Sequence, residues 1–155
     1  FAGQHQGVRG DEAYLRRLRP VIDTLEAAGQ WKFLGTLNLQ QMAAFYPNLD
    51  VLIVPSTNST ETFGFVQIEA MMNGTPVVAA GLAGGRQPVA MTGMGRVTPV
   101  GDAAALAENI LVLLDKPADY QGDPGAIRQQ FSPDTSAQRH EALFLEIADE
   151  LDVAL

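Results

Sequence analysis

The amino-acid sequence predicts an α/β fold, a Rossmann-like parallel β-sheet with helices on both faces. Strand-like and helical patterns alternate along the chain, which is the order expected of strand–helix–strand units. The strand-like runs are short and apolar throughout, a composition typical of strands buried on both faces. We expect right-handed crossovers between these strands and ligands beyond their carboxyl ends.

The first half of the chain starts with a strand-like run, Phe1–Gly3, and continues through a Gln/His/Gly loop into a helical pattern over about residues 11–28. The apolar run Trp31–Leu34 predicts a second strand, and a helical pattern follows at about 38–46. The run Val51–Pro55 is apolar and bounded by turn residues, so it predicts the third strand.

The second half begins with a predicted helix over about residues 63–73, which Gly74 is placed to end with a left-handed cap. The runs Pro76–Ala80 and Arg96–Val100 predict the last two strands. The remaining helical patterns cover about residues 102–114, 124–130 and 134–152.

Length, charge and cysteine content bound the function. At 155 residues the chain is one domain long, and such a domain buries roughly 68–70% of its unfolded surface. The net charge of −8, with Lys32 and Lys116 as the only lysines, disfavours nucleic acid and anionic membranes as partners, because both need a basic stripe. No apolar stretch reaches the ~18 residues of a transmembrane segment. The absence of cysteine excludes disulfides and thiolate metal sites, which fits a cytoplasmic protein.

The most informative segment is Glu61-Thr-Phe-Gly-Phe-Val-Gln-Ile-Glu69, where a predicted strand gives way to a helix. Glu61 precedes the helix, and Glu69 lies about six residues inside it, roughly 9 Å along the axis at 1.5 Å per residue. A carboxylate can accept two hydrogen bonds from a vicinal diol, so each acid is a candidate ligand of a sugar or ribose. Both acids also have an ordinary interpretation, since glutamate near a helix N-terminus offsets the helix dipole and Glu69 would then be solvated.

The start of this helix predicts an anion site. The amides of Phe63, Gly64 and Phe65 have no acceptor within the helix, and Gly64 allows a ligand to approach the backbone closely. A diphosphate would fit there. Two acids around one anion site therefore predict a ligand with two sugars around one diphosphate.

The segment resembles the E-x7-E signature of retaining glycosyltransferases of the GT-B fold, particularly the large family 4 group. The similarity covers about residues 1–115 and includes Lys32-Phe-Leu-Gly35 and Asp50–Ser56 before the signature. After it come Gly84-Gly85-Arg86, Thr92–Val97 and Pro99–Asp102. Many members of this group carry Glu after the paired glycines. Gln87-Pro88 stands there in this chain, so no acid role is implied.

The resemblance implies a role for each matching residue. Glu69 would bind the nucleotide ribose, and Glu61, to which we assign the catalytic role, would contact hydroxyls of the donor sugar. The backbone of Thr62, Phe63, Gly64 and Phe65 would lie against the phosphates and the sugar. More loosely, the loop formed by Gly35, Thr36 and Leu37 would lie near the base.

The resemblance also implies the reaction, in which a hexosyl group moves with retention from a nucleoside-diphosphate sugar, such as a UDP- or GDP-sugar, to a hydroxyl acceptor. The acceptor would be a sugar or a lipid-linked molecule, as in polysaccharide or glycolipid biosynthesis. The donor sugar is the only small molecule required, and no metal is expected because the chain has no Asp-x-Asp pair.

We expect residues 1–155 to form a single C-terminal donor-binding domain, truncated at its N-terminal edge. The N-terminal acceptor domain would then be absent, together with the Arg and Lys that grip the diphosphate in this family, and the chain alone would be inactive. Any peripheral attachment to a membrane would be made by that missing domain.

Other functions fit the residues less well. A non-catalytic nucleotide-binding α/β module would share the diphosphate site and remains the alternative. A flavodoxin-like signalling receiver needs an Asp at the end of a strand, where this chain has Pro55-Ser56. His5 and His140 lack the spacing of metal ligands and are interpreted as structural or solvated residues.

Overall fold

The structure is a computed structural model that describes residues 1–4 and 12–150. It divides the chain into two compact units, Phe1–Phe45 and Tyr46–Leu155. Most of the predicted Gln/His/Gly loop, including His5, lies outside the described residues.

The described residues of the first unit, 1–4 and 12–45, form two helices, α1 (Glu12–Ala27) and α2 (Leu39–Phe45). Asn38 caps α2 reciprocally with Gln41, since each side-chain oxygen accepts from the other residue's backbone N–H at 2.9 Å. The strands predicted at Phe1–Gly3 and Trp31–Leu34 are reduced to one parallel bridge between Ala2 and Gly35. Two backbone hydrogen bonds, Gly3 N–H to Gly35 O and Leu34 N–H to Phe1 O, flank this bridge.

The second unit is built on a three-stranded parallel sheet with the order β1–β2–β3. The strands are β1 (Leu52–Val54), β2 (Val77–Ala80) and β3 (Gly95–Thr98), and all three were predicted. All four residues of the central strand β2 are buried, whereas β1 and β3 are partly exposed. The prediction of burial on both faces is therefore confirmed for β2 alone.

Helices connect and cover these strands. They are α3 (Phe65–Met71), α4 (Gln87–Thr92), α5 (Ala103–Asp115), α6 (Pro124–Gln130) and α7 (Pro133–Glu150), with short 3-10 turns at Tyr46–Asn48 and Pro117–Tyr120. Helix α4 was not predicted. A proline in the first turn and a left-handed Gly93 at the end account for it.

Helix α3 ends as the sequence predicts. Gly74 has φ of 85°, its N–H bonds to the Met71 carbonyl, and the N–H of Thr75 bonds to the Ala70 carbonyl. This pair of bonds is a Schellman cap. It returns the chain to β2 and holds the buried face of α3, which includes Ile68, against the sheet.

The carboxyl ends of β1 and β2 position the two loops that form the candidate site. Because the strands are parallel, Pro55 after β1 and Gly81 after β2 leave the sheet at the same edge. The Gly81 N–H also bonds to the Thr98 carbonyl of β3 at 2.8 Å. Ligands of open parallel sheets bind at this edge.

Candidate functional site

The loop after β1 carries Glu61, which is half-buried. The Ser56 hydroxyl donates a hydrogen bond to Glu61 Oε2 at 3.1 Å. Asn58 shapes the loop between them, since its side-chain oxygen accepts from the Thr60 N–H and its carbonyl from the Glu61 N–H. Glu61 is therefore a carboxylate held by its own loop.

The loop after β2 packs against the backbone next to Glu61. A Cβ atom on Gly84 would overlap the Thr62 carbonyl, so only glycine fits at that position. A Cβ on Gly85 would lie 3.1 Å from Glu61 Cγ. The paired glycines thus bring two loop backbones into direct contact. The sequence shows the paired glycines as part of the family resemblance, but it does not show which residues they contact.

The start of α3 differs from the prediction. The helix begins at Phe65 rather than Phe63, because Gly64 adopts φ of 79° and ψ of 62°, outside the right-handed helical region. Phe63 therefore precedes the helix, and the first-turn amides are those of Phe65 and Val66. With seven residues, α3 is also shorter than expected, and Glu69 is its fifth residue.

The aromatic side chains around Gly64 differ in exposure. Phe63 is half-buried and packs 6.0 Å, between ring centroids, from Phe131. Phe65 is 70% exposed and meets the Phe63 ring edge-on at 5.4 Å. Thr62 is exposed as well.

Gln67 connects α3 to the glycine loop, and the sequence analysis missed this role. Its side chain is fully buried, and Nε2 donates to the Gly85 carbonyl at 2.7 Å. Its Oε1 is also buried and has no hydrogen-bond partner. A Cβ on Gly64 would lie 2.5 Å from Gln67 Nε2, so Gly64 is required by space as well as by its φ. A buried glutamine in an otherwise apolar helix face is the sequence signal for this contact.

Glu69 lies on the exposed side of α3, and its carboxylate accepts a hydrogen bond from within the unit. The Tyr46 hydroxyl donates to Glu69 Oε2 at 2.6 Å, and Tyr46 itself is only 3% exposed. Burial, then the hydrogen bond and the negative charge of Glu69, raise the pKa of Tyr46 above its usual value, so the hydroxyl remains a donor. No sequence pattern predicted this pair, whose members are separated by 23 residues.

The other predicted residues belong to the first unit. Gly35 has φ of 69° and forms the bridge to Ala2, Thr36 is exposed, and Leu37 is half-buried. Their contact with a base stays a prediction.

Two further residues named in the sequence analysis, His140 and Arg86, are exposed. His140 is exposed on α7, with Nδ1 2.7 Å from the Ser136 carbonyl. Arg86 is exposed at the start of α4.

The described part of the chain lacks both a metal-binding cluster and a membrane-spanning helix. Residues 1–4 and 12–150 contain no group of three or more His, Asp or Glu side chains that could hold a metal ion. None of the described helices is long and apolar enough to cross a membrane.

Two solved structures share this fold. Sucrose-phosphate synthase from Thermosynechococcus elongatus superposes with a TM-score of 0.74 at 28% identity, over 96% of this chain and 38% of that chain. HepE from Anabaena, solved in complex with UDP, superposes with a TM-score of 0.60 at 28% identity, over 88% of this chain and 40% of that chain. The fold is thus one half of a GT-B glycosyltransferase.

The chain belongs to the family Glycosyl transferases group 1, whose family profile matches residues 3–129. Phosphatidyl-myo-inositol mannosyltransferase of Mycobacterium leprae is 38% identical over 68% of this chain and 27% of its own length. The 2-deoxystreptamine glucosyltransferase of Streptomyces kanamyceticus is 32% identical over 91% of this chain and 35% of its own length. The chain therefore spans about a quarter to a third of these relatives.

Proposed function

We propose that this chain is the donor-binding domain of a retaining glycosyltransferase, which moves a hexosyl group from a nucleoside-diphosphate sugar to a hydroxyl acceptor. The observation that carries the proposal is the segment Glu61–Glu69, whose two carboxylates each accept a hydrogen bond from a hydroxyl group and whose first acid lies in the loop after β1. Family membership supports it, as do the relatives named mannosyltransferase and glucosyltransferase. A related Anabaena structure contains UDP-glucose.

We assign Glu69 to the nucleotide ribose. It is exposed, so a ligand can reach it, and Tyr46 occupies one carboxylate oxygen while Oε1 remains to accept from the diol. An uncharged amide would be a poorer acceptor, because hydrogen bonds to an ionised group are shorter and stronger.

We assign Glu61 to the hydroxyls of the donor sugar. Ser56 and the packing of Gly85 against its side chain restrict the positions that the carboxylate can take. This favours a positioning role in catalysis, in which Glu61 holds the sugar in its reactive orientation rather than transferring a proton. No protein nucleophile is assigned, since Glu69 is committed to the ribose.

The diphosphate is proposed to lie along the backbone of Thr62, Phe63, Gly64 and Phe65. The first-turn amides of α3 point towards the end of the helix that adjoins Gly64. Charge that develops on the departing diphosphate in an oxocarbenium-like transition state would be stabilised there. Because α3 has only seven residues, individual N–H groups rather than a long helix dipole supply this stabilisation. We propose that this step needs no metal.

The acceptor and the remaining diphosphate ligands are assigned to the rest of a longer enzyme. Relatives are about three times the length of this chain, and a GT-B enzyme binds its substrates between two domains. We propose that an N-terminal domain in cis supplies the acceptor pocket for a sugar or a lipid-linked molecule. Residues Gly35, Thr36 and Leu37 are proposed to lie near the base.

Calorimetry on this chain tests the two acid assignments separately. Wild-type protein is titrated with UDP, GDP and ADP and with their glucose or mannose conjugates. Glu69→Ala is expected to raise the Kd for the bare nucleotide by about 10- to 100-fold, the loss of one or two hydrogen bonds to a charged group. Glu61→Ala is expected to leave that Kd unchanged and to remove the additional affinity contributed by the sugar.

Glu108→Ala is the control, because Glu108 is an exposed glutamate on α5, a different helix. It should bind as wild type does. Equal loss of nucleotide affinity in Glu61→Ala and Glu69→Ala would contradict the division of roles. Absence of binding to every nucleotide by the wild-type chain would contradict the proposed function.

A further inference from the structure

Burial alone does not show whether Tyr46 is a structural core residue or a residue of the donor site. Its ring is buried in the second unit, but its hydroxyl reaches the carboxylate of an exposed residue, Glu69, at 2.6 Å. The backbone of Tyr46 is fixed as well, because the buried Thr75 hydroxyl donates to its carbonyl at 2.6 Å. In the hydrogen bond between Tyr46 and Glu69, the donor is therefore held in place by the surrounding structure, while the acceptor is a flexible side chain.

Without a partner, an exposed glutamate on a helix samples several rotamers, and a ligand that needs one of them must overcome the lost side-chain entropy. The Tyr46 hydroxyl restricts Glu69 before any ligand arrives. Because burial and the adjacent carboxylate raise the pKa of Tyr46, the hydroxyl donates throughout the physiological pH range.

We propose that Tyr46 is a positioning residue of the donor site: its hydroxyl holds Glu69 Oε2 and thereby presents Oε1 to the ribose of a nucleoside diphosphate. The inference rests on the proposed function, since it needs Glu69 to be the ribose ligand. Tyr46 does not itself touch the nucleotide. It sets how strongly the site distinguishes a ribose from a sugar that lacks the hydroxyls.

The test compares UDP with 2′,3′-dideoxyuridine diphosphate in calorimetric titrations of wild type, Tyr46→Phe and Tyr120→Phe. In Tyr46→Phe the Kd for UDP is expected to rise about 2- to 10-fold, because binding must then order the unrestrained Glu69 side chain, while the Kd for the dideoxy nucleotide stays unchanged. A purely structural role would weaken both ligands equally. Tyr120→Phe is the matched control, because it removes a hydroxyl that accepts from Arg96, a contact outside the site, and it should preserve the wild-type ratio.

A second measurement follows the contact itself and needs no ligand. Thermal midpoints are recorded for Tyr46→Phe, Glu69→Ala and the double variant, and the shift of the double variant is expected to be smaller than the sum of the single shifts. Additive shifts, or an unchanged preference for UDP in Tyr46→Phe, would overturn the inference. If wild type binds UDP, GDP and ADP equally poorly, the proposed function fails and the ribose role of Tyr46 fails with it, whereas non-additive midpoints would still establish the hydrogen bond.

Discussion

The two acids of the site are held in different ways. Glu61 lies in a loop whose backbone is packed against a second loop by Gly84 and Gly85, and a serine from the same loop bonds its carboxylate. Glu69 lies on the exposed face of a helix, and a hydrogen bond from the buried Tyr46 holds its carboxylate. The first arrangement depends on backbone shape and the second on one hydroxyl group.

This difference predicts that mutations separate the two sides of the site. Changes to the glycine loop should disturb Glu61 together with local stability, because a packed backbone cannot move without strain. Changes to Tyr46 should disturb Glu69 alone, because the helix that carries Glu69 is fixed independently by its buried face and its Schellman cap. Binding of the sugar and binding of the nucleotide should therefore be separable.

The largest effect is expected from Gly84→Ala. The new Cβ would overlap the Thr62 carbonyl, so one of the two loops must move, at about 1–3 kcal/mol of unfolding free energy or more. Urea unfolding followed by circular dichroism measures the loss, and titration with a nucleotide sugar should show a weaker contribution of the sugar to binding.

Gly85→Ala is the graded control for this variant, because its Cβ would meet the flexible Glu61 side chain at 3.1 Å rather than a backbone atom. It should cost less stability than Gly84→Ala. Wild-type stability in Gly84→Ala would show that the two loops are not in contact in solution.

An intermediate effect is expected from Gln67→Leu. The substitution removes the donor to the Gly85 carbonyl and leaves that carbonyl unpaired, but it also removes the buried Oε1 that has no partner. The two effects partly cancel, so the expected loss is about 1 kcal/mol of unfolding free energy. Urea unfolding measures it, with Gln129→Leu on α6 as the control because Gln129 is exposed. A loss in Gln129→Leu as large as that in Gln67→Leu would refute the role of the buried amide.

Much of the second unit was predictable because its patterns are local. Apolar runs bounded by turn residues gave all three strands, and periodic patterns gave α5 and α6 to within a residue. The strand pair predicted in the first unit was wrong beyond the single bridge between Ala2 and Gly35, since a short run with half-buried aromatic residues and an exposed Lys32 can also pack outside a regular sheet. There the structure has edge-to-face contacts among Phe1, Trp31 and Phe33.

The site was predictable in its residues but not in its geometry. The acids and the glycines are visible in the sequence. The positive φ of Gly64, which makes α3 begin at Phe65 rather than Phe63, is not visible, because glycine permits a positive φ without requiring it. The partners of the site, Tyr46 and Gln67, are joined to it by contacts across 23 and 18 residues. No periodicity encodes such contacts, because they depend on how the chain packs in three dimensions.

An effect of about the same size as that of Gln67→Leu is expected on the Glu69 side, as a pH dependence that Tyr46 confers. A tyrosine whose pKa is raised in the folded state keeps its proton there above pH 10 while the unfolded chain loses it, so the stabilising contribution is present below about pH 10 and declines as the pH rises further. Wild type should therefore lose about 1 kcal/mol more unfolding free energy than Tyr46→Phe when the pH rises from 9 to 11. The titration of one proton can change the unfolding free energy by at most about 1.4 kcal/mol per pH unit. Urea unfolding of both proteins at the two pH values measures the difference, and ionisation of the other tyrosines cancels because both proteins contain them. Parallel pH profiles would show that the Tyr46 hydroxyl is not held by Glu69 in solution, and the separation of the two sides of the site would then lose its support on the Glu69 side.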